Sequence, residues 1–252
     1  MDEQKIIATN LAKNYVIKER EKMGAYMENI AHQLKTPAAG MMLGLEYLQD
    51  TEADEQRRIR LGQCINQLER MSDMTTSLLR LAQIDSGKIW MKKKKENLSE
   101  LLKESADSVE PLMTVKNIDF QQEIPEETML SCDVFWIREA FKNLLKNATE
   151  HTQKNGQIRM MLDILNGQYD IRIYNSGAEI RTDQREEIFD RFYQSDGDKK
   201  DSFGIGLHLA REIFRMHQGT VRVLESYETG TTFQILLPIF IAKDAGSNLT
   251  EL

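Results

Sequence analysis

Glu28-Asn29-Ile30-Ala31-His32-Gln33-Leu34-Lys35-Thr36-Pro37 places Ile30 and Leu34 four residues apart, on one face of a helix, and turns His32 away from that face towards solvent. Met41, Leu45 and Leu48 continue the apolar stripe, so residues 2 to about 48 are expected to form one long helix with a kink at Pro37. Gln49-Asp50-Thr51-Glu52-Ala53-Asp54 then supplies turn and cap residues. Ile65, Leu68, Thr75, Leu78, Leu79 and Ala82 rebuild the stripe on a second long helix that stops near Ser86-Gly87. A single hairpin cannot cover two stripes of this length. Two hairpins packed as a four-helix bundle can, which predicts a homodimer.

Beyond the lysine run Lys92 to Lys95, read as a solvated linker, the pattern changes. Asn97 with Glu100 three residues on reads as a helix start, continued by Leu98, Leu101, Leu102, Ala106 and Val109. Residues 118–123, 128–131, 157–165, 168–174, 220–226 and 231–237 alternate or run apolar at strand length. Asn166-Gly167 and Glu228-Thr229-Gly230 sit where hairpin turns belong. Helical segments around 133–151, 182–190 and 204–217 are interleaved with the strands, which predicts an α/β sandwich with a mixed sheet. The expected division is a helical connector over 1–22, a helical hairpin domain over 23–92, the sandwich over 96–241 and a tail over 242–252.

Composition narrows the possible functions. The 252 residues carry a formal net charge of -7, and an acidic chain without a basic stripe is not expected to bind nucleic acid. Cys64 and Cys132 lack metal spacing and read as buried or half-buried thiols in a reducing compartment. The longest apolar segment, residues 233–242, contains Gln234 and Pro238 and is about half of the roughly 20 residues a membrane helix needs. The start of the chain has no signal-peptide pattern, so the chain as given is expected to be soluble.

Four groups of residues carry chemistry. A solvated imidazole such as His32 is a competent nucleophile towards a phosphoryl group when its free nitrogen is unprotonated. Asn143 and Asn147 project from one face of a helix whose other face, with Phe141, Leu144, Leu145 and Ala148, is packed. Their amides could reach phosphate oxygens, and the Asn147 oxygen suits magnesium, a hard cation. Lys146 and His151 either add donors there or lie exposed. Asn175-Ser176-Gly177 ends a strand, where it either reads the edge of a ligand or makes a simple turn. Gly204-Ile205-Gly206-Leu207 opens a helix whose first-turn amides could bind phosphate. Between these lie Phe189-Asp190-Arg191-Phe192-Tyr193 and the polar stretch 195–202, with the composition of a mobile lid or a surface loop.

In this order the segments resemble the catalytic core of the sensor histidine kinases of two-component systems, over about residues 20 to 240. His32 through Pro37 looks like the family's phosphoacceptor box and 143–148 its asparagine box. Residues 175–180 and 204–207 look like its two glycine boxes, and 189–193 its phenylalanine box. The resemblance implies a dimerisation and phosphotransfer hairpin followed by a gyrase-type ATP-binding sandwich. His32, Gln33 and Thr36 would then act in catalysis. ATP would be bound by Asn143, Lys146, Asn147, His151, Asn175, Gly177, Arg191, Phe192, Gly204, Gly206 and Leu207, with Mg2+ on Asn147.

The implied partner is a response-regulator receiver domain, which receives the phosphate on an aspartate and which Thr36 could help to dephosphorylate. The implied location is cytoplasmic for this chain, with the full-length protein held at the cell membrane by a sensor region absent from these residues. Three positions depart from the pattern. Gln33 replaces an acidic residue, which implies slower self-phosphorylation, because a neutral amide stabilises an imidazolium less well. Asn175 stands where the family commonly has an aspartate that reads the adenine amino group, and Glu179 replaces the second glycine of the first glycine box. These departures leave a second reading, a kinase-like scaffold that binds ATP weakly and signals by conformation.

Overall fold

The computed structural model describes residues 22, 26, 29–30, 33–87, 91–194, 204–224 and 229–239. His32, the connector 1–22 apart from Lys22, the whole polar stretch 195–202, residues 225–228 and the tail lie outside the described residues. Two compact units result, one taking residues up to Trp90 together with Phe192–Ile205, the other Met91–Arg191 with Gly206–Leu252.

In the first unit, residues 33–51 form helix α1 and Glu55–Asp85 form α2. The break between them follows local chemistry: Thr51 returns its hydroxyl to the Tyr47 carbonyl at 2.9 Å, and Asp54 caps α2 by accepting from the Arg57 amide at 3.0 Å. At the far end Gly87 adopts φ +66° just past Ser86, a conformation glycine takes without penalty. Ile65, Leu81, Ala82 and Ile84 of α2 are buried, while Leu34, Met41, Leu43, Tyr47 and Leu48 of α1 stay exposed in a single chain. Cys64 is exposed rather than buried, because α2 turns that position outward.

The second unit is an α/β sandwich. Its main sheet runs β2 (Asp119–Glu123), β4 (Gln157–Leu165), β5 (Gln168–Asn175), β7 (Thr231–Pro238) and β6 (Thr220–Leu224), in that order. Only the β2–β4 pair is parallel, so the sheet is mixed as expected. Asn166 and Gly167, at φ 53° and 75°, turn β4 into β5, with Leu165 opposite Gln168. The lysine run is not simply a linker. Lys94–Asn97 is strand β1, paired antiparallel with β3 (Met129–Cys132), because the ladder needs only backbone groups and the lysine side chains can remain in water. The segment around 182–190 forms two short 3-10 turns, Thr182–Gln184 and Glu187–Phe189, in place of a helix. It is too short to sustain a helix while sending Ile188 and Phe189 into the core.

Helices α3 (Leu98–Asp107), α4 (Glu110–Val115), α5 (Val134–His151) and α6 (Gly206–Met216) complete the unit. Helix α5 has the determining pattern: Ile137, Ala140, Phe141, Leu144, Leu145 and Ala148 are all wholly buried. Phe141 meets Phe214 of α6 edge to face at 5.2 Å, which fixes the two helices against each other. On sheet positions facing away from Ile171, Ile173, Phe233 and Ile235, polar residues form a chain. Arg222 donates to Gln234 at 2.8 Å, and Gln234 donates to the wholly buried Asp170 at 2.9 Å, which also pairs with Arg172. Every buried oxygen in this chain meets a donor, which is what makes a buried carboxylate tolerable.

The α5 termini are fixed by two polar joints. Lys116 donates to the Thr149, Glu150 and Thr152 carbonyls at 2.7–3.0 Å, covering the oxygens that a helix end leaves unpaired. At the other end Asp133 caps α5 and accepts from the Lys92 amide at 2.8 Å, while its own amide donates to His217 Nε2 at 3.2 Å. The Ile213 carbonyl can only accept, so His217 Nδ1 is the donor in that 2.9 Å contact and the imidazole is neutral. Burial pushes the His217 pKa below its usual 6.5, with the Lys93 charge acting in the same direction; the Ile213 bond and Asp133 oppose it. Because the unfolded chain takes the proton more readily, stability is full above about 6.5 and falls as the pH drops through the lower folded-state value. Thermal melts of the parent from about pH 8 to about pH 5.5 are expected to fall more steeply than those of His217→Gln, and equal slopes would refute this.

Candidate ATP-binding site

Helix α5 has its packed face on one side and Asn143, Lys146, Asn147 and His151 on the other, all half-buried. Spacings of three, four and eight place them along one side of the helix. The Asn143 amide is already engaged: Nδ2 donates to the Glu139 carbonyl at 2.8 Å and lies 3.3 Å from the Glu139 carboxylate. Its oxygen is the end that Glu139 does not hold, and a Cβ placed on Gly206 would lie 2.9 Å from it. The polar side of α5 thus meets the first residue of α6, where unpaired helix amides lie and Leu207 follows half-buried.

The end of β5 meets the last turn of α5. A Cβ on Gly177 would fall 2.2 Å from the His151 carbonyl oxygen and 2.8 Å from Asn175 Nδ2, so only glycine allows this approach. Ser176 secures the crossing by accepting from the Gln157 amide at 2.8 Å. Asn175 itself is 2 % exposed, and its Nδ2 is buried without a hydrogen-bond partner among the described residues. The structure therefore brings together Asn143 with Gly206, and His151 with Asn175 and Gly177.

The segment around Phe189 is anchored by His208, a residue that sequence reading passed over. Phe189 is 1 % exposed, stacks edge to face on Phe233 and lies under Arg211. Arg191 Nε donates to His208 Nε2 at 2.9 Å, and His208 Nδ1 donates to the Phe189 carbonyl at 2.8 Å. A guanidinium can only donate and a carbonyl can only accept, so His208 is neutral with its proton on Nδ1. The available signal was its position, two residues after Gly206 on the first turn of α6. Glu139 was also missed; its signal was its place one helical turn before Asn143.

Phe192 and Gly204, in the other unit, are joined by a 2.9 Å bond from the Phe192 amide to the Gly204 carbonyl. Both have left-handed backbone, at φ 64° and 65°. Strain of that kind in Phe192, a bulky and exposed residue, is characteristic of functional loops. Gln33 and Thr36 lie exposed on α1.

A mixed sheet backed by α5 and α6, with Asn143 against Gly206 and Asn175 and Gly177 against the last turn of α5, has the layout of a nucleotide-binding α/β sandwich. Residues 132–241 match the family of histidine kinase-, DNA gyrase B- and HSP90-like ATPases, and residues 22–87 match the His Kinase A phospho-acceptor domain. The chain belongs to the two-component sensor histidine kinases, of which it carries the catalytic core. Sensor histidine kinase CusS of Escherichia coli O157:H7 is 28% identical over 236 residues, covering 90% of this chain and 48% of CusS. The chain thus spans about half the length of the curated relatives it matches.

Two solved structures share the fold. Full-length ShkA in complex with AMPPNP has a TM-score of 0.72 at 19% identity, over 86% of this chain and 46% of ShkA. ThkA in complex with response regulator protein TrrA has a TM-score of 0.65 at 22% identity, over 92% of this chain and 66% of that one. Among the described residues no helix is long and apolar enough to cross a membrane.

Gly177→Ala is expected to lower stability by about 1–3 kcal/mol, because the His151 carbonyl is backbone and cannot swing aside. Denaturant melts check this, and a variant as stable as the parent would refute it.

Proposed function

We propose that the chain transfers the γ-phosphate of ATP to its own His32, then passes it to an aspartate of a response-regulator receiver domain. The observation that carries this reading is that α5 meets both the start of α6, at Asn143, and the end of β5, at His151. A chain that also matches a phospho-acceptor domain then has both halves of a phosphotransfer reaction. In the first step an imidazole nitrogen of His32 attacks the γ-phosphorus, the bond to the β–γ bridging oxygen breaks and ADP leaves. Gln33 accepts a hydrogen bond from the other ring nitrogen. In the second step the aspartate oxygen displaces the imidazole.

The residues along α5 and at Gly206 suit the phosphates. Among the described residues no three His, Cys, Asp or Glu stand together to hold a metal. An ion held by the single amide oxygen of Asn147 would draw its remaining ligands from phosphate and water, which fits Mg2+. Bound there, Mg2+ would offset the charge developing on the phosphates. Lys146 and His151 contribute positive charge or donors beside it, Asn175 and Gly177 bound the base, and Arg191, Gly206 and Leu207 complete the set.

The exposed apolar stripe of α1 formed by Leu34, Met41 and Leu48 fits a second copy of the chain, making the working unit a homodimer. The cytoplasmic placement of this core, and its anchoring at the membrane by a sensor region outside these residues, belong to the same reading.

Incubation with γ-labelled ATP and Mg2+ is expected to give an acid-labile, alkali-stable label that is absent in His32→Ala and Asn147→Ala. Gln33→Glu is expected to label faster, and light scattering to give the mass of two chains. No label with ATP binding intact would move the assignment to a scaffold that signals by conformation. Thr36 stands exposed one helical turn after His32, where its hydroxyl could orient water for dephosphorylating the regulator. Thr36→Ala is expected to slow loss of phosphate from the regulator; an unchanged loss would refute this role.

A further inference from the structure

The side chain of Asn175 is planar and two-ended, and one end is sealed. Nδ2 is buried with no acceptor among the described residues, and it faces Gly177, where a Cβ would come within 2.8 Å. Two amide protons without an acceptor are costly, and a sealed amide oxygen, which carries no proton to satisfy, costs less. The two ends of an amide can exchange by rotation about its last torsion. Turning the amide over puts the oxygen inside and leaves N–H2 as the end available to a ligand.

A carboxylate in this place would offer an acceptor in either orientation. The asparagine favours offering a donor, and in that state it opposes the amino group of adenine and matches the carbonyl of a 6-oxopurine. With adenine bound the amide must turn back, sealing its protons again. The mismatch therefore lies inside the protein, behind the ligand.

We infer that Asn175 relaxes base discrimination, so that 6-oxopurine nucleoside triphosphates bind about as well as ATP. This rests on the reading of the site as a nucleotide site. The experiment is competitive displacement of a fluorescent ATP analogue from the full chain by ATP and by inosine triphosphate, which carries the 6-oxo group without guanine's extra amino group. The two are expected to bind within about tenfold of each other. Asn175→Asp, checked for folding by circular dichroism, is expected to strengthen ATP and weaken inosine triphosphate, widening their ratio by at least about tenfold.

Inosine triphosphate binding more than about tenfold weaker than ATP to the parent would overturn the inference and leave the ATP site standing, as would a ratio unmoved in a folded Asn175→Asp. The parent comparison decides the matter even if the variant fails to fold. Binding of neither nucleotide would overturn the nucleotide reading and this inference with it.

Discussion

Helix α5 must be apolar along one side and polar along the other, and the second unit is built around that demand. Ile137, Phe141, Leu144 and Leu145 are wholly buried. At 3.6 residues per turn their burial places Asn143, Asn147 and His151 on the opposite side. The site's position is thus a consequence of core packing. Because both helix ends are tied down, by Asp133 and His217 at one and Lys116 at the other, the asparagines cannot slide along the helix axis without breaking hydrogen bonds.

Close backbone approach is the second constraint. The crossing of β5 past the last turn of α5 leaves no room for a side chain at Gly177, and the start of α6 beside Asn143 leaves little at Gly206. Both glycines let protein backbone approach other protein groups, which sets the width of the site. Gly204 differs, since its left-handed φ and contact with Tyr193 and Phe192 shape the loop itself. The neutral His208 between Arg191 and the Phe189 carbonyl shows how residues 189–191 are tied to α6 by groups with only one possible hydrogen-bond direction.

Periodicity made much of the fold legible. Strand β4 has the bounds expected for it, and β5 extends the expected strand by one residue, because a half-buried strand beside an Asn-Gly turn announces itself locally. Strand β1 was not legible: Lys94 and Lys95 have no apolar partner in sequence, and their strand exists only through pairing with Ser131 and Cys132. The 182–190 segment looked helical because its polar and apolar residues suit a helix, but burying Phe189 took precedence. His208 could not be assigned a role from sequence, because both of its partners lie at least 17 residues away.

The sequence by itself determined which side of each helix is apolar, where the turns fall and which residue types carry the chemistry, since these depend on neighbours within a few positions. Only the tertiary structure decided that Asn143 presents its oxygen, that His208 and His217 are neutral and that the Asn175 amide has a sealed end. Those properties belong to contacts between distant segments, and hydrogen-bond direction and desolvation are set only when such segments meet.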